Sequence, residues 1–350
     1  MPFLHNQKLS LTIVTTTILL IAIAIAAMGR QDQPRRIGII DFYGYAGLNV
    51  DEIRSRLPIK VGDQFSYQRP ITDVVDKAVK SITGRLTTAI EPVCCDPQGN
   101  FIIYIGLPGA SIKPTKFNPI PKGKSHFPAE AVELYDQTME AIGAAISRGI
   151  GSEDHSQGFA LSNEPAARAK QMEVRAYAVE HEKLIRDVLT SSGDARQRGV
   201  AAHLLGYARQ SQEQISALVY ASHDADDTVR NNATRALGVL ADSSPKIAAR
   251  IPPSGFIGML SSGSWTDRNK AGLVLMSLTR ARDANLLGRI RAEALTPLIE
   301  MARWTDRGHA YSARFLLGRI AGIPEEHLIE LSNADNADEI MKKLKLKPLR

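Results

Sequence analysis

Two adjacent cysteines, Cys94 and Cys95, are the only thiols in the 350 residues, and that excludes a disulfide framework or a cysteine-rich zinc site. Neighbouring residues on a strand point to opposite faces. A ring closed between the two sulfurs is therefore not expected, and the pair reads as one packed and one partly exposed thiol. His181-Glu182 begins like a zinc-protease helix, but the position four residues after the histidine is Ile185, which cannot bind metal. No phosphate-binding glycine loop, dinucleotide turn or nucleophile elbow occurs. The eight histidines are scattered, and His203, His223 and His309 are expected as partly buried, hydrogen-bonded side chains. No catalytic, cofactor-binding or metal-ligating set emerges, and no cofactor is expected.

Composition agrees with this. The net charge of +6 is mild for the length, 44% of residues are hydrophobic, and basic residues cluster only in the tail 342–350. A nucleic-acid partner is not expected. Lys8 precedes an apolar run from Leu9 to Met28, with the small-x-small triplet Ala24-Ile25-Ala26 inside it. Residues 1–30 read as a signal peptide cleaved after Ala26. The alternative is a retained anchor, since that run reaches about 30 Å as a helix. Either way the remainder is exported, and Leu9 to Met28 offers membrane association.

The elements follow from hydrophobic period. Ile37 to Gly44 reads as a strand, Val50 to Leu57 as a helix capped by Asn49, and 71–82 as a second helix ended by Gly84. Two further strands, 86–93 and 101–107, flank the hairpin signal Asp96-Pro-Gln-Gly-Asn100. The order over 35–108 is β-α-α-β-β. Residues 109–128 carry prolines and lysines and read as a flexible linker. A helix is expected over 129–148, with Val132, Tyr135, Met139, Ile142 and Ile146 on its apolar stripe, followed by a loop to 162. From 163 to 350 the pattern is helical and repeats. Asp194 to Gly206 aligns with Asp226 to Gly238, and Trp265-Thr-Asp-Arg268 returns as Trp304-Thr-Asp-Arg307. Second helices are placed near 194–209, 227–241, 267–280 and 306–321. Met276 and Phe315 stand where the repeat calls for glycine.

Ile40-x-Phe42-x-Gly44, with Leu57 before Val61-Gly62-Asp63, resembles the POTRA domain of outer-membrane assembly and secretion proteins. The phrase Arg230, Ala233, Ala236, Leu237, Gly238 resembles the HEAT repeat, including its bilin-lyase-like subgroup. Together they imply an α+β chain, a small POTRA-like domain followed by an all-α HEAT-like solenoid with a C-terminal cap. The POTRA resemblance implies a periplasmic interaction module that captures extended chains at a sheet edge. The expected function is a non-enzymatic, exported protein-binding adaptor. Phe101, Ile103 and Ile105 are the candidate partner-binding residues of the small domain. Trp265 and Trp304 are those of the solenoid, although an inter-repeat packing anchor explains the tryptophans more simply. Two alternatives are a solenoid enzyme of the bilin-lyase-like type acting on a bound cofactor and a membrane-anchored structural subunit.

Overall fold

The computed structural model describes residues 35–332, apart from 69, and 337–344. The expected signal or anchor segment lies outside the described residues. Strand β1 (Ile37–Tyr43) is followed by α1 (Val50–Arg56), α2 (Thr72–Thr83), β2 (Ala89–Cys94) and β3 (Phe101–Gly106). The β-α-α-β-β order of the sequence is therefore present. Asn49 caps α1 by accepting from the Glu52 amide, and Gly84 ends α2 in the left-handed conformation. Asp96 Oδ1 holds the β2–β3 turn by accepting from the amides of Gln98 and Asn100.

The sheet order is β1-β3-β2, with β3 parallel to β1 and antiparallel to β2. Both faces of the sheet are covered, which explains why every residue of β3 is buried. Ile37, Ile40, Phe42, Phe101, Ile103 and Ile105 point toward α1 and α2. Tyr43, Ile102 and Tyr104 point the other way, into the core of the helical part. Alternation at period two thus sends one set of side chains into each of two cores.

The helical part begins with α3 (Ala129–Ser147) and a short hairpin of β4 (Glu153–Asp154) and β5 (Leu161–Ser162). It continues through α4 (Pro165–Glu180), α5 (Glu182–Ser191), α6 (Ala195–Leu205), α7 (Gln212–Ala221) and α8 (Asp227–Ser243). Next come α9 (Pro245–Ala248), α10 (Ser254–Met259), α11 (Trp265–Leu278), α12 (Ala284–Ala302) and α13 (Arg307–Ile320). Helices α14 (Glu325–Ser332) and α15 (Asp338–Lys343) close the described chain. The second helices of the pairs, α6, α8, α11 and α13, pack one on the next. Small residues set their spacing: a Cβ on Gly206 would lie 2.9 Å from that of Ala236. Helix α12 kinks at Ala294, three residues before Pro297, whose ring and missing N–H disrupt the hydrogen-bond ladder.

Buried arginines link the pairs. Arg198 makes a two-pronged contact with Asp224, both bonds at 2.8 Å, and donates to the Ser192 carbonyl. Arg230 donates to Asp267 at 2.8 Å and to the Asp224 carbonyl at 3.0 Å. Arg268 donates to the Ser262 carbonyl at 2.7 Å and to Glu300 at 2.9 Å. In the first link the acid belongs to the turn ahead of the next second helix, in the second Asp267 lies in the first turn of α11, and in the third Glu300 lies on α12. The arginine of each pair therefore fixes the register of its neighbour.

Three expectations are corrected. Residues 109–128 are extended but not a free linker, because their backbone is hydrogen-bonded to one helix pair after another. The Lys113 amide donates to the Ser261 carbonyl at 3.0 Å, that of Asn118 to His223 at 2.8 Å and that of Gly123 to Ser191 at 2.8 Å. Phe117 lies under the Arg230 guanidinium, 4.5 Å from the ring centroid. Helix α3 buries Ala131, Thr138 and Ala145 completely, with Val132 and Tyr135 of the expected stripe packed against the core beside them, and it leaves Met139 and Ile146 exposed. These small residues let the helix lie close against α4 and α6. Finally, Cys94 and Cys95 are joined as a disulfide. Their shared peptide is cis.

Candidate functional site

The five residues singled out for partner binding are all interior. Strand β3 is central in the sheet, so Phe101, Ile103 and Ile105 present no edge and pack beneath α1 and α2. Trp265 and Trp304 are buried where the sheet meets the helices. Tyr104 stacks on Trp265 with ring centroids 4.8 Å apart and planes 19° apart, and it meets Trp304 at 5.1 Å. Trp304 Nε1 donates to the Phe42 carbonyl at 3.1 Å. The tryptophans therefore anchor the small domain to the helical array.

That junction is polar as well as aromatic. Glu300, with no exposed surface, accepts from the amides of Gly44 and Ala46 at 2.8 and 2.9 Å and from the Ser111 hydroxyl at 2.6 Å. Its remaining partner is Arg268. Gly44 must be glycine for this turn: its φ is +72°, and a Cβ would meet Ile112 and the Leu107 carbonyl. Glu91 accepts from Tyr43, Ser264 and the Trp265 amide. Asp41 receives the Thr305 amide and hydroxyl. Burial pushes the carboxyls of Asp41 and Glu91 up, against these hydrogen bonds. Burial also pushes His309 down to about 4, opposed by Asp306 and assisted by Lys270, and its Nδ1 lies in hydrogen-bond contact with the Tyr104 hydroxyl at 2.8 Å.

A second polar cluster lies where the β4–β5 hairpin crosses α8. Arg235 holds both oxygens of Glu153, at 2.6 and 2.5 Å. His155 Nδ1 sits 3.0 Å from Asp242, and its Nε2 lies 3.8 Å from Glu153. Arg280 reaches Asp242 from α11. These groups, with Thr234, Lys270, Leu273 and Met276, line a cavity of about 220 Å³. Burial alone would raise Glu153, but the charges and hydrogen bonds of Arg235 and His155 hold it down at about 2. The hydrogen bond to Asp242 and the nearby Glu153 carboxylate raise His155 to about 9, so the imidazole is cationic at neutral pH. Burial and the Arg235 charge push Lys270 down to about 8. Burial pushes His203, packed between Tyr135 and Tyr207, down to about 3.

A larger cleft, about 700 Å³, opens beside the junction and is lined by Asp41, Tyr45, Asp51, Arg54, Glu300 and Arg303 among others. No group of three or more His, Cys, Asp or Glu side chains is placed to hold a metal ion among the described residues. None of the described helices is long and apolar enough to cross a membrane. The chain matches no protein-family model, and no curated protein matches it.

Nothing in the sequence pattern marked the hairpin cluster as a unit. Glu153 and His155 lie in a glycine-rich stretch that reads as a break, and Arg235 and Lys270 are ordinary helical cations until the fold brings them together. The one available signal was the sequence Glu153-Asp-His155, a histidine beside acids.

Proposed function

We propose that this chain is an exported adaptor that holds protein partners, with a POTRA-like domain docked on a HEAT-like helical array. The POTRA-like assignment is supported by the β-α-α-β-β order and the β1-β3-β2 sheet. The HEAT-like one is supported by the paired helices and by their buried arginine links.

One observation carries the binding role. The outer side of β1 is occupied at its start by the Arg36–Gln64 bridge and the bonds of Ile37 and Phe65 to neighbouring loop backbone, and farther along the Ile40 and Phe42 carbonyls accept from the Arg54 and Trp304 side chains. The outer side of β2 has no backbone partner among the described residues. Strand β2 is therefore the edge at which an extended client chain would add, gaining main-chain hydrogen bonds and placing alternate side chains against the sheet. Pro92, in the middle of β2, is a residue that sheets admit at their edges, and it confines pairing to either side of itself.

The test is photo-cross-linking in the native organism from Leu86, exposed just before β2, and from Val61, exposed on the β1 side. A reproducible protein neighbour from Leu86 but not from Val61 is expected. Recovery of no neighbour from Leu86, or equal capture from both positions, would overturn the edge-binding role.

A further inference from the structure

The cavity beneath the β4–β5 hairpin is not part of the sheet edge, and its wall has the composition of a ligand site. Its charged lining groups are Arg235, His155 and Lys270 against Glu153 and Asp242. Arg235 is satisfied by Glu153, His155 lies between two carboxylates, and the half-exposed Arg280 reaches Asp242 from outside the lining. Lys270 remains. It comes from α11 and makes no hydrogen bond or ion pair among the described residues. Thr234 lines the same cavity from α8, fully buried, with its hydroxyl lacking any partner. A buried polar group left unpaired costs about 1–3 kcal/mol, and such groups mark places where a ligand supplies the missing bond. The rest of the wall is mostly apolar, Gly238, Val239, Leu273 and Met276, with Ser277 as its one further polar residue.

We propose that this cavity binds a carboxylate carrying a short apolar chain, with its oxygens on Lys270 and Thr234 and its hydrocarbon against Val239, Leu273 and Met276. Lys270 is the one lining cation without a partner, so a single carboxylate suffices, and Glu153 and Asp242 in the same wall disfavour a second negative charge close by. The volume admits about seven waters at ~30 Å³ each, which suits a small organic acid or the terminal residue of a peptide rather than a nucleotide. The proposal stands apart from strand capture at β2, and either can fail alone.

Calorimetric titration of the full chain with isovalerate and with isovaleramide tests it, alongside a Gly-Gly-Leu peptide with a free or an amidated C-terminus. Binding of the acids at least ten-fold tighter than of their amides is expected. Tighter binding of the peptide acid assigns the carboxylate to a chain terminus, and tighter binding of isovalerate assigns it to a free metabolite-sized acid. Lys270→Met should lose at least ten-fold in acid affinity while melting no lower than the parent, since it removes a desolvated charge. Thr234→Val, of nearly equal shape, should lose about three-fold and serves if the first variant does not fold. Equal affinity for acids and amides, no binding by any of the four, displacement of isovalerate by equimolar inorganic phosphate, or unchanged acid affinity in either folded variant would each overturn the proposal.

Discussion

Glu300 shows how much of the architecture can depend on one carboxylate. It joins β1, the strap after β3 and α11 through four bonds, and it has no contact with solvent. Glu300→Ala should cost about 3–5 kcal/mol in chemical denaturation, because it leaves the Arg268 guanidinium buried without its counter-charge. Histidines set the pH response. His203 is held neutral when folded, at about 3, so its contribution is complete above the unfolded value near 6.5 and is lost as pH falls from there toward 3. His155 is held charged, at about 9, so its contribution is complete below 6.5 and is lost as pH rises through 9. Both are fully present only near pH 6.5. Melting temperatures across pH 5–9 should therefore peak there; His203→Leu should flatten the acid side and His155→Gln the alkaline side.

The elements differ in how openly the sequence announced them. Three of the four second helices begin at a side chain that competes for backbone amides, which made them easy to place: Asp194, Asp226 and Asp306 all accept N–H bonds from their own first turns, whereas Ser264 ahead of α11 makes no such bond. Strand β3 was visible as an apolar run, but its central position in the sheet was not, because periodicity does not order strands. The strap at 109–128 was misjudged for a physical reason. Proline and lysine content describes stiffness and solvation, while docking depends on carbonyls at 191, 223 and 261 that belong to distant turns. Docking has a measurable consequence. The amides of Lys113, Asn118 and Gly123 should exchange hydrogen at least a hundred-fold more slowly than an exposed loop does, and trypsin should not cut after Lys116 or Lys122 in the folded protein. Rapid cleavage there would show that the strap is free.

At the scale of the whole molecule, the sheet and the helical array share one boundary rather than meeting through a tether. Asp41, Tyr43, Glu91 and Tyr104 look like ordinary strand residues in the sequence, yet each is satisfied by a residue between 263 and 309. Denaturation followed by tryptophan fluorescence, which reports Trp265 and Trp304 at the boundary, should coincide with loss of helix followed by circular dichroism. Two separated transitions would mean that the halves are independent. The same boundary imposes an order on biosynthesis. The ribosome completes the sheet at residue 106 but must add about 200 more residues before His309 arrives to meet Tyr104, roughly 10–40 s at typical elongation rates. Throughout that interval the nascent sheet displays Tyr43, Ile102 and Tyr104 to water, and a chaperone that shields such a surface would govern the yield of native protein.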